Sequence, residues 1–308
     1  MPDEQQDNSN RETRCGFVAL IGAPNVGKST LVNALVGSKV TIVSKKVQTT
    51  RALIRGIVIE DNAQIILVDT PGIFAPKRRL DRAMVSTAWS GAHDADLVCV
   101  LIDARAGIDD EADAILSKLE AVNHPKILVL NKIDLVPREK LLALAQKANE
   151  RLTFTQTFMV SALSGDGVDD LRRTLAKDVP PGPFHYPEDQ MSDAPMRQLA
   201  AEITREKIYR HLHQELPYQS TVETDSWQDR KDGSVRIEQT IFVERDSQRK
   251  IVLGKGGATI KSIGADSRKE LAEIVGQPVH LFLFVKVRDG WGDDPERYRE
   301  MGLEFPKE

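Results

Sequence analysis

Short apolar runs alternate with amphipathic stretches through the first part of the chain. The stretches 29–35 and 109–121 carry the mixed pattern expected of helices on a protein surface. Buried strands that alternate with such helices form a mostly parallel sheet covered on both faces. The predicted fold class of this part is therefore α/β, with ligands expected at the carboxyl ends of the strands. The apolar runs predict buried strands at 17–21, 65–68, 97–102, 127–130 and 158–160.

A different pattern follows a proline-rich break. Pro180-Pro181-Gly182-Pro183 ends the alternation of strands and helices. The pattern that resumes after it has strands that follow one another, which indicates a smaller α+β unit. The elements predicted there are, in order, a helix over 198–215, strands over 221–227 and 234–244 joined by a turn at Asp232-Gly233, a helix that ends at Val275 and a strand over 279–287.

These patterns divide the chain into four parts. The N-terminus is polar and lacks the apolar core of a signal peptide, so we expect it to be disordered. The predicted parts are a disordered tail (1–14), an α/β domain (15–180), a linker (181–196) and an α+β domain with a C-terminal extension (197–308).

Composition narrows the class of protein. With 41% hydrophobic and 29% charged residues, the chain is expected to fold rather than to stay disordered. The formal net charge of -4 argues against a uniformly basic surface, although a local basic patch is compatible with it. Cys15 and Cys99 are too few for a disulfide framework, and no apolar run reaches about 18 residues. A cytoplasmic location is therefore expected.

A phosphate-binding loop lies between the first predicted strand and the first predicted helix. Gly22-Ala23-Pro24-Asn25-Val26-Gly27-Lys28-Ser29 fits the pattern G-x-x-x-x-G-K-[ST], in which backbone N–H groups at a helix N-terminus face phosphate. Lys28 would bring its charge to the β- and γ-phosphates, and the Ser29 hydroxyl would bind Mg²⁺. Thr30, the next residue, is included in the predicted nucleotide site.

A second motif predicts which base is bound. In Asn131-Lys132-Ile133-Asp134, the Asp134 carboxylate can accept hydrogen bonds from two N–H groups on one edge of guanine, a donor pair that adenine lacks. Asn131 would contact the same base, and the aliphatic stem of Lys132 would cover its face. A backbone N–H within Ser161-Ala162-Leu163 would meet the guanine O6. The predicted ligands are therefore GTP and GDP.

Two segments between these motifs are expected to respond to the γ-phosphate. Asp69-Thr70-Pro71-Gly72 ends a strand, with Asp69 directed toward Mg²⁺ and the Gly72 N–H toward the γ-phosphate. A hydroxyl from the first mobile loop should also bind Mg²⁺ while the γ-phosphate is present. Thr50 is the preferred residue and Thr49 is the alternative. The predicted metal ligands are Ser29, Thr50 and Asp69.

The combined motifs resemble those of the translation-factor-related GTPases, and the second half of the chain narrows the resemblance to the Era family. It covers roughly residues 15–305. It implies a P-loop GTPase domain followed by a type II KH domain, which is an RNA-binding fold. The stretches that carry it are Gln48-Thr49-Thr50-Arg51, Arg205-Glu206-Lys207, Glu215-Leu216-Pro217-Tyr218, Pro278-Val279-His280-Leu281 and Gly290-Trp291.

The resemblance also bears on catalysis. Many small GTPases carry a Gln after the Asp-x-x-Gly motif, where this chain has Ile73, which cannot orient water. The resemblance implies that hydrolysis depends on Lys28, Thr50 and Gly72 together with Mg²⁺ and bound water, and that it is slow without a partner. Asn25 matches a residue that helps hold K⁺ in some relatives, and the alternative is an Asn that suits the turn conformation.

The G-x-x-G loop of the KH domain is matched by Gly254-Lys255-Gly256-Gly257, and such a loop clamps about four nucleotides. No acidic residue occurs from 249 to 261, so the loop forms a local basic patch. Trp227, Trp291 and Tyr218 are expected to pack internally, which would leave few aromatic rings for stacking on bases. The predicted RNA-binding residues are Arg249, Lys250, Gly254, Lys255, Gly256, Gly257 and Lys261.

The implied function is that of a monomeric GTP-dependent switch that binds the 3′ region of 16S rRNA and assists assembly of the 30S ribosomal subunit and rRNA processing. Mobile loops around 40–55 and 73–90, with the linker, would couple the two domains. Two alternatives stay open. One is an RNA-binding module in which GTP only stabilises the fold, and the other is a cell-cycle GTPase peripherally associated with the inner membrane.

Overall fold

The computed structural model describes residues 12–46, 49–212, 216–290 and 294–306. Its first domain is built on a six-stranded sheet in the order β2-β3-β1-β4-β5-β6. β2 is antiparallel to β3, and the other neighbours are parallel. The strands are β1 (Arg14–Ile21), β2 (Ile54–Glu60), β3 (Ala63–Asp69), β4 (Leu97–Asp103), β5 (Lys126–Asn131) and β6 (Gln156–Val160).

Five helices cover this sheet and enclose one large apolar core. Four central strands are almost completely buried, as expected for a sheet packed on both faces. The predicted α/β fold class is confirmed for this domain. The helices are α1 (Lys28–Val36), α2 (Arg79–Asp94), α3 (Asp110–Leu119), α4 (Arg138–Arg151) and α5 (Val168–Asp178). Because α2 occupies much of the range 73–90, the expected loop there ends at residue 78.

The sequence pattern missed β2. Its residues Ile54 to Glu60 include an Arg and a Gly, so they do not form a continuous apolar run. The strand forms as the antiparallel partner of β3, which follows it after a two-residue turn. Gly56 packs on α1, and the free edge meets the later segment around Ser192. The contact of its free edge with a segment more than a hundred residues away cannot be recognised from local periodicity.

The second domain places helices against a three-stranded sheet in the order β7-β8-β9. β7 and β8 are antiparallel, and β9 runs parallel to β8. This is the α+β unit that the sequence predicts, and β9 has the predicted bounds. The elements are α6 (Met196–His211), β7 (Ser220–Asp229), β8 (Val235–Val243), α7 (Asp246–Leu253), α8 (Ala258–Val275), β9 (Val279–Val287) and α9 (Pro295–Glu300).

Two predicted boundaries need comment. The predicted tail lies largely outside the described residues, but Arg14 already belongs to β1 and bonds to the carbonyl of Asn62 at 3.0 Å. The predicted helix over 198–215 ends at His211, and residues 213–215 lie outside the described part. Gln48 and Trp291, which belong to the stretches that carry the resemblance, also lie outside it.

The segment predicted as a linker is docked along the edge strand of the first domain. Ile57 N–H donates to the carbonyl of Met191 at 2.9 Å, and the Arg55 side chain meets Asp193 at 2.7 Å. Ser192 forms an isolated bridge with Gly56. The connection between the domains is therefore held against β2 up to the start of α6. Within the described residues, no helix is both long and apolar enough to cross a membrane.

Candidate nucleotide site and RNA interface

The predicted phosphate-binding loop joins β1 to α1, at the carboxyl edge of the parallel sheet. Residues 22–27 form the loop, and its last residue, Gly27, has φ +101°. A Cβ on Gly27 would lie 2.2 Å from Nδ2 of Asn131, so only glycine fits there. The backbone N–H groups at the start of α1 are thus presented for an anion.

Lys28 is buried at the foot of this loop, with 6% of its surface exposed. Its ammonium donates hydrogen bonds to the carbonyls of Gly22 and Ala23, both at 3.0 Å. Burial lowers the pKa of Lys28 to about 8, while the nearby Asp69 carboxylate acts in the opposite direction. A phosphate group in the loop would replace the two carbonyls with a stronger, charged partner.

The three predicted metal ligands come together beside Lys28. Oγ of Ser29 and Oγ1 of Thr50 are 2.9 Å apart, and Oγ1 of Thr50 is 3.3 Å from Oδ2 of Asp69. Asp69 is fully buried, and burial raises the pKa of its carboxyl group. Hydrogen bonds from the hydroxyls around it and the charge of Lys28 act in the opposite direction. Its Oδ1 is buried and has no hydrogen-bond partner among the described residues. Two hydroxyls and an unsatisfied carboxylate oxygen are ligands that suit Mg²⁺.

The two candidate threonines differ clearly in position. Thr50 is buried and faces Asp69, as described above. Thr49 instead donates to the carbonyl of Lys46 at 2.7 Å. Sequence reasoning missed Thr41, which is fully buried and donates to the same Oδ2 of Asp69 at 2.9 Å. Loop residues have no periodic pattern that would have marked Thr41.

The Asp-x-x-Gly segment follows β3 and touches the phosphate-binding loop. Thr70 donates to the carbonyl of Leu20 at 2.5 Å, and the N–H of Ile73 donates to the carbonyl of Gly22 at 3.1 Å. Gly72 and Pro71, which lie between them, are thereby held beside the loop. Ile73 is 7% exposed and belongs to the apolar core, so its side chain offers nothing to a water molecule.

The predicted base-binding residues share the adjacent corner of the sheet. Asn131 is buried; its amide donates to the carbonyl of Val26 at 2.8 Å and accepts from the N–H of Ala162 at 3.0 Å. It therefore joins the phosphate-binding loop to the segment 161–163. Ser161 is buried, whereas Leu163 and Asp134 are exposed to solvent. This leaves the Asp134 carboxylate accessible to a base.

Lys132 crosses this corner and meets an aspartate that sequence reasoning missed. Its ammonium lies 2.6 Å from the carbonyl of Asn25 and 2.6 Å from Oδ2 of Asp103. Asp103 ends β4 directly beside Asn131 in the neighbouring strand. An Asp at the carboxyl end of an apolar strand was the available signal. Asn25 is exposed and has φ +62°, a conformation that Asn tolerates better than most residues.

The loop that carries Thr50 is docked on the second domain through the next residue. Arg51 is buried, and its guanidinium donates to the carbonyl of Ser220 at 2.9 Å and to the hydroxyl of Tyr209 at 3.2 Å. It also reaches the carbonyls of Pro217 and Tyr218, at 3.3 and 3.2 Å. Two successive residues thus face two different domains, since Thr50 points into the nucleotide site.

A cluster of ion pairs joins the start of the same loop to α6 and α8. Glu206 of α6 is 1% exposed and accepts from the N–H of Val43 and from Lys39, each at 3.0 Å. Lys207 lies 2.7 Å from Glu206, and Glu270 of α8 pairs with both lysines. Burial alone would raise the pKa of Glu206, but hydrogen bonds from the two lysines outweigh it and hold the pKa below its usual value.

The predicted RNA loop lies between α7 and α8. Gly254 has φ +72°, and a Cβ there would lie 2.2 Å from Oγ1 of Thr259. Gly256 and Gly257 also have positive φ, so the loop follows a path that suits glycine. The predicted basic residues around the loop, Arg249, Lys250, Lys255 and Lys261, are all exposed.

Part of the basic charge near the loop is balanced. Arg249 and Lys250 both pair with Asp246, at 3.6 and 3.2 Å, just before the acid-free stretch. Lys255 and Lys261 are therefore better placed to meet phosphate than the first two. The glycine loop itself is open, because a Cβ on Gly256 would meet nothing within 4 Å.

The expectation of few free aromatic rings is only partly right. Tyr218 packs edge to face against Tyr209 at 5.9 Å, and Trp227 is partly buried against the core of the second domain. Phe282 and Phe284, however, are 41% and 49% exposed on β9. The sequence analysis weighed only Trp227, Trp291 and Tyr218 as aromatic residues and did not consider the phenylalanines of β9.

Both domains of the chain match known protein families. A family model described as 50S ribosome-binding GTPase matches residues 17–132, and a KH domain model matches residues 215–292. The curated relative GTPase Era of Afipia carboxidovorans is 83% identical over the whole length of both chains. GTPase Era of Brucella suis is 68% identical and covers 96% of this chain and 95% of its own.

Solved structures of Era match this chain over both domains. A crystal structure of Era in complex with MgGDPNP and nucleotides 1506–1542 of 16S ribosomal RNA is 38% identical, with a TM-score of 0.88. The match covers 94% of this chain and 99% of that one. A variant of Aquifex aeolicus Era bound to GDP and AlF4⁻ matches with the same identity, coverage and TM-score.

Proposed function

This chain belongs to the Era family of GTPases, and we propose that it is a GTP-dependent switch that binds 16S rRNA during assembly of the 30S subunit. The observation that carries the proposal is the position of the loop 39–51. Thr50 faces the predicted metal ligands, while its neighbour Arg51 is buried against the KH domain. A change at the γ-phosphate would therefore reach both domains through two adjacent residues.

GTP or GDP with Mg²⁺ is the ligand that fits the nucleotide site, and MgGDPNP is bound by the Era structure that matches this chain. Ser29, Thr50 and Asp69 would hold the metal, which when bound neutralises charge on the phosphates. Lys28 and the backbone N–H groups at the start of α1 would bind the phosphates. The Gly72 N–H would contact the γ-phosphate.

Hydrolysis in this chain depends on positioning rather than on a side-chain base. Ile73 is apolar and buried, so water must be oriented by backbone groups and by the loop that carries Thr50. Such a site is slow until a partner orders it. Asp134 would read guanine, with Asn131 acting as a positioning residue for the loops on either side.

Asn25 is the residue that would help hold K⁺ beside the phosphates. It is exposed at the mouth of the loop, and its carbonyl already accepts from Lys132. Its positive φ also supports the simpler explanation that Asn suits the turn. Faster GTP hydrolysis in KCl than in NaCl, lost in Asn25→Ala, would support K⁺ binding, and equal rates would dismiss it.

The RNA assignment rests on the KH domain and on one solved relative. The family description names the 50S subunit, but the Era structure that matches both domains carries nucleotides 1506–1542 of 16S RNA. We therefore assign the 3′ region of 16S rRNA and the maturing 30S subunit, with the glycine loop and Lys255 as the first contacts. The protein would act as a monomer in the cytoplasm, with peripheral association at the inner membrane as the alternative site of action.

In-cell UV crosslinking with sequencing tests this assignment with a matched pair of variants. Gly256→Asp adds a negative charge in the RNA loop, where a Cβ has open space. Gly233→Asp adds the same charge at a distant turn with a similar backbone and equally open surroundings. We expect reads at the 3′ end of 16S rRNA for the wild type and for Gly233→Asp, and their loss in Gly256→Asp.

Two outcomes would contradict the assignment. Reads concentrated on large-subunit or messenger RNA would leave the GTPase in place but refute the 30S function. Reads that survive Gly256→Asp would move the RNA contact away from the glycine loop. Lys28→Ala separates the switch from a module with structural GTP, because only the switch loses nucleotide control of RNA binding.

A further inference from the structure

The edge strand of the KH sheet presents a row of side chains on the face opposite its helices. Along β9 the residues alternate, and Leu283 faces α8, where a Cβ on Gly264 would lie 3.4 Å from its Cδ1. The opposite set is exposed, and it includes the two largest exposed apolar side chains among the described residues of the domain. We call this set, His280, Phe282, Phe284 and Lys286, the outer row.

Phenylalanine rings that are this exposed to water are unfavourable in free energy unless a partner covers them. Phe282 and Phe284 lie on the same face, two residues apart, at the spacing of about 6.6 Å that successive side chains on one face of a strand have. A single exposed apolar residue is ordinary, but two aromatic rings side by side on an edge strand form a platform.

The charge around the platform points to the chemistry of the partner. The Arg236 guanidinium stacks over the Phe282 ring at 4.4 Å and is held there by Glu238, whose carboxylate accepts from Nε at 3.1 Å. A positive charge also stands at one end of the row, where the exposed Lys286 follows the rings. A partner with flat rings and a negative backbone complements this surface.

The strand that carries the row packs against the helix that follows the predicted RNA loop. α8 begins directly after the glycine loop, and Gly264, which packs against β9, lies six residues into that helix, about 9 Å along its axis. A strand of RNA clamped at the loop covers about four nucleotides. Nucleotides beyond these four can cross the edge of β9 and reach its outer face.

We propose that the outer row is a second RNA contact, on which bases outside the four-nucleotide clamp stack on Phe282 and Phe284. Lys286 would meet a flanking phosphate, whereas Arg236 is paired with Glu238 and would support the Phe282 ring. This inference rests on the proposed function, because it extends the RNA interface of the same domain. The occupant is single-stranded RNA; a protein partner would need an acidic and apolar surface, and it becomes an outcome of the test.

Fluorescence anisotropy with two RNA probes tests the proposal on the full-length protein. The long probe is the 16S fragment 1506–1542, and the short probe is a four-nucleotide segment of it selected for binding to the wild type. Phe282→Leu with Phe284→Leu keeps apolar side chains but removes the rings. We expect this double variant to bind the long probe about tenfold more weakly and the short probe with unchanged affinity.

Matched variants distinguish stacking from other effects. Phe282→Tyr with Phe284→Tyr retains the rings and should keep the wild-type affinity for the long probe. Leu142→Ser, on an exposed position of α4 in the other domain, should change neither affinity. Gly256→Asp should weaken both probes, and if it does not, the proposed RNA function fails independently of the outer row.

Two results would overturn the second contact. An unchanged affinity of the leucine double variant for the long probe would show that the rings do not stack on this RNA. An equal loss on both probes would place the effect in the glycine-loop groove. If RNA affinity is unchanged while the variant no longer cosediments with 30S particles, the row is instead a contact for a protein, and the RNA proposal is wrong.

Discussion

At the scale of single residues, burial determines what the nucleotide site can do. Lys28 and Asp69 are buried beside each other, and burial makes the charged form of each less favourable. The pKa of Lys28 is thus about 8. Phosphates bound at this position would favour the charged form and raise that pKa again.

Nucleotide affinity should therefore depend on pH through Lys28. Above pH 8 the free protein must take up a proton to bind, so the Kd for GDP should rise about fivefold between pH 8 and 9. Isothermal titration calorimetry measures this, and the same titrations in two buffers report the proton uptake. Lys28→Met should bind GDP more weakly, and its Kd should change less with pH. Because ionisation of guanine affects both proteins equally, the variant also serves as the control for it. Identical pH profiles for the two proteins would contradict the burial argument.

The choice between the two threonines can be tested in the same way. Thr50 faces Asp69, whereas Thr49 is turned to the carbonyl of Lys46. Thr50→Ala should slow single-turnover GTP hydrolysis by about ten- to a hundredfold at limiting Mg²⁺, because one metal ligand is lost. GDP affinity should hardly change, since this loop responds to the γ-phosphate. Thr49→Ala is the matched control, and a larger effect for it would reverse the assignment.

At the scale of elements, local patterns predicted what local forces determine. The buried strands β3 to β6 and the glycine loops were recognisable because an apolar run or a motif spacing depends only on residues that are close together in the sequence. The edge strand β2 was not, because Arg55 and Gly56 interrupt its apolar run. The docked segment around Ser192 and the buried Thr41 were not either, since each is held by a residue outside its own local pattern. The same holds for Arg51. In the sequence it is an ordinary loop arginine, and only the structure shows that the KH domain buries it.

The loop 39–51 gives the element-scale prediction. Arg51→Ala removes the hydrogen bond to Tyr209 of α6 and those to the carbonyls of Pro217, Tyr218 and Ser220. The loop should then no longer transmit its state to the second domain. We expect the ratio of RNA affinities with a GTP analogue and with GDP to fall toward one, while nucleotide affinity is retained. Arg55→Ala, which removes an ion pair between β2 and Asp193 of the docked segment, is the control. A preserved ratio in Arg51→Ala would place the coupling elsewhere.

At the scale of the whole molecule, the two domains meet through more than the chain connection. The loop 39–51 docks on α6, and the C-terminal segment returns to the first domain, where buried Tyr298 and Leu303 pack with Leu80 and Met84 of α2. The loop 39–51 and α2, which come after the phosphate-binding loop and the Asp-x-x-Gly segment, are therefore both in contact with the second half of the chain. Such an arrangement allows ligand binding in one domain to stabilise the other.

Glu206 is the residue through which this stabilisation should reach α8. It accepts from Val43 and Lys39 of the first domain and shares its two lysine partners with Glu270 of α8. Hydrogen exchange measured by mass spectrometry should show slower exchange in both α1 and α8 when a GTP analogue binds.

In Glu206→Gln the carboxylate charge is lost, and its lysine partners remain in a partly desolvated site. Binding of the analogue should then still protect α1 but no longer α8. Glu273→Gln, on an exposed position of α8, carries the same chemical change and should behave as the wild type. If Glu206→Gln retained full protection of α8, the contact of Tyr298 with α2 would have to carry the coupling instead.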